Sequence, residues 1–431
     1  MKNYLLIFFA LTSPALNALT ITWEEALKYT IEGNPQLEAA KNEWLASQSN
    51  EQAAFGNYLP KLSASTSITK SGSERNGGGA VVQNGVVLNS GSTSNINTNY
   101  IGSLNLNQNI FNGLEDSSRY DQAKWRTQNS YWSYLSMKAS LSLSLKEAYA
   151  NLVYAQETVT LTQSILERRE SNFKLVSVRY ENGRENKGSV LLAEAYYEQA
   201  QLDVIKAKDG LGVAIQQLKS LMNKNHLEKF EVEGEVPLIG LEIKNKELSE
   251  LVLETPAYNQ ALAQEMIAKE DIDIARSSFL PSLDFSGNVV RQGTTYFPDR
   301  ERWTVALTLS IPIFDGLKDK NTLKASVFSK YAAEGKKKST LLDLLPRLAD
   351  AQNLAKQSDI KFRIDEKFRK ASTTRAEIAR AKYNNGLITF EDWDIIENEL
   401  IQRQTNYLQS KKDRVVRYAT WENLLGRGAL Q

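Results

Sequence analysis

The sequence predicts an internally duplicated α+β membrane protein, in which long antiparallel helices form a coiled-coil barrel wall and four β-strands per chain contribute to a transmembrane barrel. Three observations carry this reading. Prolines and glycines recur at equal intervals in two halves of the 431-residue chain, four segments of about ten residues alternate apolar and polar side chains, and two segments of about 65 residues run helical with scarcely a breaker.

Residues 1–18, MKNYLLIFFALTSPALNA, set Lys2 before an apolar run from Tyr4 to Leu11, followed by Pro14 and small residues. This is the layout of a secretory signal peptide cleaved after Ala18. The duplication follows. Pro35 and Pro60 stand 25 positions apart, as do Pro256 and Pro281. IFNGL at 110–114 answers IFDGL at 313–317, and the interval of 72 residues from Phe111 to Gly183 equals that from Phe314 to Gly386. We read repeat 1 over 19–222, a linker over 223–244 and repeat 2 over 245–431. Repeat 1 is longer between Pro60 and Phe111, the excess falling in SGSERNGGGAVVQNGVVLNSGSTSN, a Gly, Ser and Asn loop unsuited to packing a core.

After each second proline the period changes from helical to two. In WTVALTLSIPI, Val305, Leu307, Leu309 and Ile311 share one face and Thr304, Ala306, Thr308 and Ser310 the other. YIGSLNLNQNI at 100–110, LSASTSITK at 62–70 and LDFSGNVVR at 283–291 complete two hairpins, over 62–110 and 283–313. Their length suits a membrane-crossing strand. Tyr100 and Trp303 fall at equivalent strand ends and Tyr296 and Phe297 in a hairpin tip, as an interfacial aromatic girdle would. Two hairpins forming a small sheet outside any membrane would show the same alternation.

From about Glu115 to Tyr180 and from about Lys318 to Tyr383 the chain reads as helix. Leu145, Ala148, Tyr149 and Leu152 set the 3, 4 spacing of a packed face. Each such helix is roughly 100 Å long and charged throughout, so it stands in water against similar helices. Pro346 should kink or bulge the second one. Gly183 and Gly386 then permit the reversals between long helices.

Composition removes several function classes. With 52 basic and 51 acidic residues the net charge is +1, so no bulk electrostatic case exists for nucleic acid. Absence of cysteine excludes disulfides, thiolate metal sites and cysteine nucleophiles, and the single His226 makes no metal site by itself. No cofactor, metal or catalytic residue is expected, and paired carboxylates such as Glu24 and Glu25 lack a positioned partner. A four-stranded sheet in lipid must close against sheets of other chains, because unpaired backbone groups cannot face hydrocarbon. Two chains would give eight strands with a bore filled by side chains; three would give twelve and room for water.

The order of signal peptide, LTITWEEALKYTIEGNPQL, two LP-led strands, IFNGL and IFDGL, and a glycine turn followed by SVLLAEAYYEQAQL resembles the TolC-like outer membrane efflux protein family over nearly the whole mature chain. The resemblance implies a homotrimer with a twelve-stranded barrel in outer membrane lipid and a helical conduit in the periplasm. It also implies work as the exit duct of a tripartite pump or type I secretion system, served by a periplasmic adaptor and an inner-membrane RND or ABC transporter, with no enzymatic activity. Gly183, Gly386 and Leu387 become adaptor contacts at the tip turns. Tyr383 and Asp392 match the family's closed gate, with Glu391 or Asp394 as further acids of a pore ring that favours cations. The same acids would also suit the start of the last helix. Ser189 and Ile388 depart from the gate pattern, since an acid and a basic residue are expected there. A structural or adhesive coiled-coil envelope protein without conductance is the reading from a different class.

Overall fold

The computed structural model describes residues 19–75, 81–83, 86–88, 93–227, 230–238 and 247–430; the expected signal peptide lies outside them. In chain order the elements are β1 (Leu19–Thr22), α1 (Trp23–Gly33), α2 (Pro35–Phe55), β2 (Lys61–Arg75), β3 (Val81–Gln83), β4 (Val86–Leu88) and β5 (Thr93–Asn112). They continue with α3 (Glu115–Glu181), α4 (Lys187–Met222), β6 (Phe230–Glu233), α5 (Leu248–Glu254) and α6 (Pro256–Ser277). The last are β7 (Ser282–Gly293), β8 (Arg300–Ser310), α7 (Lys318–Asn384) and α8 (Phe390–Leu424). The two long helices, α3 and α7, each hold 67 residues.

The recurring punctuation has a local cause at each place. Pro35 and Pro256 open α2 and α6, where a fixed φ suits the first helical position and the missing N–H costs nothing. The residue before each proline caps the helix: Asn34 Oδ1 accepts from the N–H of Gln36 at 3.0 Å, and Thr255 Oγ1 from that of Tyr258 at 3.3 Å. The NGL and DGL triplets put two successive residues in the left-handed region, Gly113 with Leu114 and Gly316 with Leu317. Asn112 and Asp315 then accept from the N–H of Asp116 and Asp319 at the starts of α3 and α7.

The chain forms two compact units, Trp44–Ser130 with Gln260–Lys338, and Met1–Glu43 with Tyr131–Asn259 and Ser339–Gln431. The first unit carries a four-stranded antiparallel sheet in the order β2, β5, β7, β8. Its register sets Leu62 opposite Leu106, Leu104 opposite Val289, Val289 opposite Trp303 and Phe285 opposite Leu307, so one face is largely apolar, up to the Arg291 and Glu301 pair. That face is uncovered within the chain, with Trp303 72%, Leu307 63% and Leu62 68% exposed. The other face is mainly hydroxyl and amide, with Ile101, Val290, Ala306 and Arg302 among them. Ser65 and Ser103 share a hydrogen bond of 2.7 Å, Asn288 donates to Asn105, and Asn109 donates to Asp284 at 2.7 Å.

Four details differ from the sequence expectation. β8 ends at Ser310 rather than Ile313, because Pro312 has no N–H to give a ladder. Part of the expected loop over 71–95 is strand: β2 runs to Arg75 and β5 begins at Thr93, a polar Ser, Thr and Asn ladder paired residue for residue. Tyr100 consequently lies inside β5, opposite Gly293 at the end of β7, instead of at a strand end. Within the expected linker, β6 pairs in parallel with β1, setting Ile21 against Val232.

The second unit is packed through apolar side chains at helical spacing. Leu145, Tyr149 and Leu152 of α3 join Trp23, Leu218, Met222 and Phe230 in one cluster, and Leu344, Leu348, Ala351 and Ala355 of α7 join Tyr418 and Trp421 in another. α7 continues through Pro346. Lys146 and Glu422 form a buried ion pair of 2.6 Å between α3 and α8. His226 lies exposed in a turn.

Candidate functional site

Both long helices of the second unit end in the same reversal. At α3, the N–H of Gly183 donates to Tyr180 O and that of Arg184 to Arg179 O, both at 2.8 Å. At α7, Gly386 donates to Tyr383 O and Leu387 to Lys382 O, both at 2.9 Å. This pair of bonds closes a helix only with a left-handed residue past its end, and the glycines adopt φ of +70° and +73°. Space around each glycine is open, and Leu387 beside it is 71% exposed.

The following helices start with side-chain caps. Asn186 Oδ1 accepts from the Ser189 N–H at 2.9 Å. Thr389 and Asp392 form a reciprocal box, the Thr389 hydroxyl donating to the Asp392 carboxylate at 2.9 Å and accepting from its N–H at 3.1 Å. Asp392 and Glu391 are exposed.

Tyr383 joins the two reversals. It is fully buried, stacks on Trp393 with ring centroids 4.4 Å apart, and donates its hydroxyl to Glu185 Oε2 at 2.9 Å. Burial, and then the Glu185 carboxylate, push its phenol well above the ordinary tyrosine range. Arg179 lies 4.5 Å over the ring and donates to the Tyr383 carbonyl at 2.9 Å. Glu185 also accepts from the Ser189 hydroxyl at 3.1 Å. Ser189, where an acid was expected, donates to Glu185, and Ile388, where a basic residue was expected, packs on the apolar cluster of Val176, Tyr383, Phe390 and Trp393.

Asp394 occupies a different place from the pore ring expected of it. It is buried, 3.1 Å from Arg169, and accepts from Asn398 at 2.8 Å. The Arg169 guanidinium also stands 4.5 Å over the Tyr196 ring, and Arg168 lies 3.2 Å from Glu397. These bonds tie α3 to α8 behind the reversals. Sequence reasoning passed over Arg168, Arg169, Arg179 and Glu185; the adjacent arginines in LERRE were the available signal.

In the first unit, Tyr100, Tyr296 and Phe297 form a chain of edge contacts with centroids 5.9 and 5.1 Å apart. Trp303 stands on the apolar sheet face opposite Val289. Among the described residues no helix is long and apolar enough to cross a membrane, and no acidic, histidine or cysteine group is arranged to hold a metal.

A sheet with one apolar and one polar face, carried with long paired helices reversing at glycine, defines the class of outer membrane channel folds. The sequence model of the outer membrane efflux protein family matches residues 26–224 and 248–427, and the chain belongs to that family. It is a protein of the cell outer membrane that extends into the periplasm. It is 25% identical over 230 residues to the alkaline protease secretion protein AprF of Pseudomonas aeruginosa, covering 50% of this chain and 47% of that one. It is 24% identical over 312 residues to outer membrane protein TolC of Escherichia coli K12, covering 66% and 57%. The matched part of the chain thus spans about half the length of these relatives. The Campylobacter jejuni CmeC outer membrane channel has the same fold, with a TM-score of 0.81 at 17% identity over 94% of this chain and 85% of that one.

Proposed function

We propose that this chain is a passive exit duct, three copies of which close their sheets into a twelve-stranded barrel across the outer membrane. The observation that carries the reading is the sheet: an exposed apolar face for lipid, a hydroxyl and amide face for water, and two open edges, β2 and β8. Lipid tolerates such a sheet only when the edges are paired, and twelve strands leave an aqueous bore. In this arrangement Ser65, Ser103, Asn105 and Thr308 line the lumen, and Tyr100, Tyr296, Phe297 and Trp303 sit at its aromatic girdle.

The two reversals are the periplasmic end. Gly183, Gly386 and Leu387 leave open, partly apolar surface there, and a periplasmic adaptor docks on it. An inner-membrane transporter of the RND or ABC class delivers the substrate; the duct does no chemistry. The Tyr383 to Glu185 link holds the closed gate, and Asp392 with Glu391 forms the pore ring, three copies of each acid favouring cations. AprF's name ties that relative to protease secretion, which supports type I secretion as one service of such a duct beside small-molecule efflux.

Planar bilayer recordings on purified protein test the reading. Trimers that dissociate only on heating, together with discrete conductance steps, are expected. Monomers without conductance would leave a structural envelope protein in its place. Crosslinking from Gly183→Cys or Leu387→Cys, in a chain otherwise free of cysteine, identifies the adaptor.

A further inference from the structure

The two open edges of the sheet carry side chains that match each other. β2 and β8 run in opposite directions, since each neighbouring pair in the order β2, β5, β7, β8 is antiparallel. The β8 edge of one copy therefore meets the β2 edge of a second as an antiparallel pair. On the apolar face β2 presents Leu62, Ile68 and Lys70, and β8 presents Leu309, Trp303 and Glu301, all exposed. From the end where β2 begins and β8 stops, each edge runs from leucine through a large apolar side chain to a charge. That charge is positive on β2 and negative on β8.

Three conditions limit how the edges align. A shift of an odd number of residues between copies would continue the apolar face of one chain as the polar face of the next. Rows of paired residues cross the chain from Lys61 through Asn107 and Ser286 to Ala306, so zero shift would stand the strands upright along the barrel axis. Barrel strands tilt by roughly 35–45°. With residues about 3.3 Å apart and strands about 4.8 Å apart, that tilt needs a shift of about four to six residues per four-stranded chain.

Of the two even shifts in that range, six sets Pro312, which has no N–H for a ladder, against Lys61. It also brings Lys70 opposite Trp303, among the apolar rows. A shift of four sets Ser310, the last residue of β8, against Lys61, the first of β2, and pairs all 11 residues of β8. Leu309 then faces Leu62, Trp303 faces Ile68 and Glu301 faces Lys70. Glu301 already holds Arg291 of its own chain at 2.8 Å, so Lys70 of the next copy completes a row of alternating charge above the apolar rows.

We infer that β8 of one copy pairs with β2 of a second copy in this one register, Glu301 against Lys70, and that the charge row selects it over the register two residues away. The inference rests on the trimeric duct proposed above.

The chain has no cysteine, so disulfides between copies read the register directly. Opposed residues of an antiparallel pair stand about 4.5–5.5 Å apart, within disulfide reach, and diagonal ones about 7–8 Å, beyond it. Full-length protein in outer membrane vesicles is oxidised and run on non-reducing gels. Lys70→Cys with Glu301→Cys, and Leu62→Cys with Leu309→Cys, should each give covalent trimers, whereas Lys70→Cys with Trp303→Cys should give few. The leucine pair keeps both charges and reads the register even where the first pair impairs folding. Lys70→Glu sets like charges opposite each other and should lower the temperature at which trimers dissociate by several degrees. Crosslinks through 70 with 303, or through 62 with 311, in trimers that still dissociate on heating would overturn the register and leave the duct standing. An unchanged dissociation temperature in Lys70→Glu would overturn the part given to the charges. Wild type that yields only monomers would overturn the duct itself, and the register with it.

Discussion

The hydroxyl of Tyr383 donates to Glu185 at 2.9 Å across 198 residues of sequence, fastening one reversal of the chain to the other. The ring keeps its stack on Trp393 without the hydroxyl, so Tyr383→Phe removes the bond and little else. A loss of about 1 kcal/mol is expected, with a larger single-channel conductance and an unchanged circular dichroism spectrum. Unchanged conductance in planar bilayers would show that the bond does not restrain the gate.

The Arg169 and Asp394 pair is buried on both sides, so removing one partner strands a charge. Arg169→Met or Asp394→Asn should cost about 3–5 kcal/mol, while an apolar replacement of both should recover most of it. Chemical denaturation of the two single variants and the double variant closes the cycle. Additive losses would mean that the pair is not coupled.

Glycine replacements should rank by space. A Cβ at Gly386 meets nothing and bears only the cost of positive φ, about 1 kcal/mol. At Gly113 it would also lie 2.7 Å from Ser277 O and 2.8 Å from Leu280 Cβ. Gly113→Ala should therefore lower the thermal midpoint well beyond Gly386→Ala, as scanning calorimetry will show.

Asp392→Asn keeps an oxygen for the Thr389 cap and removes the charge. Cation selectivity, read from reversal potentials in a salt gradient, should fall while the stability changes by less than about 1 kcal/mol. A preserved reversal potential would take Asp392 out of the lumen.

Alkaline pH should loosen the second unit through Tyr149. Its hydroxyl donates to Glu233 O at 2.8 Å and Ile21 O at 3.3 Å, and burial, followed by Glu24, raises its pKa to about 12. The folded pKa exceeds the unfolded value of about 10, so this contribution is intact below pH 10 and is lost as pH rises toward 12. Denaturation midpoints of wild type should fall faster over that window than those of Tyr149→Phe.

Much of this architecture is written locally and was legible as such. Proline, glycine and period-two signals each act within a few residues, so the order of helices and strands and the IFNGL and IFDGL corners could be read from the chain alone. Strand limits were less so. Pro312 falls inside a run of alternation, yet its missing N–H ends β8; the Ser, Thr and Asn stretch before Tyr100 carries only Ile96 as an apolar mark. Four-residue β1 and β6 carry too few alternations to stand out. The site was legible only in part. Tyr383 and Asp392 were singled out only by their resemblance to a family pattern, whereas the partnership of Arg169 with Asp394 spans 225 residues, and nothing in either neighbourhood names the other. Glu185 meets both Ser189 and Tyr383 because a helix start lets neighbouring side chains converge on one point.

In the proposed barrel, the edges of the sheet would set the kinetics of membrane entry. A chain that ends its sheet at β2 on one side and β8 on the other meets a barrier in hydrocarbon until those backbone groups are paired. Insertion should therefore follow encounter between copies, accelerate more than linearly with chain concentration, and leave isolated chains waiting in the aqueous phase, dependent on whatever there shields Trp303, Leu307 and Leu62.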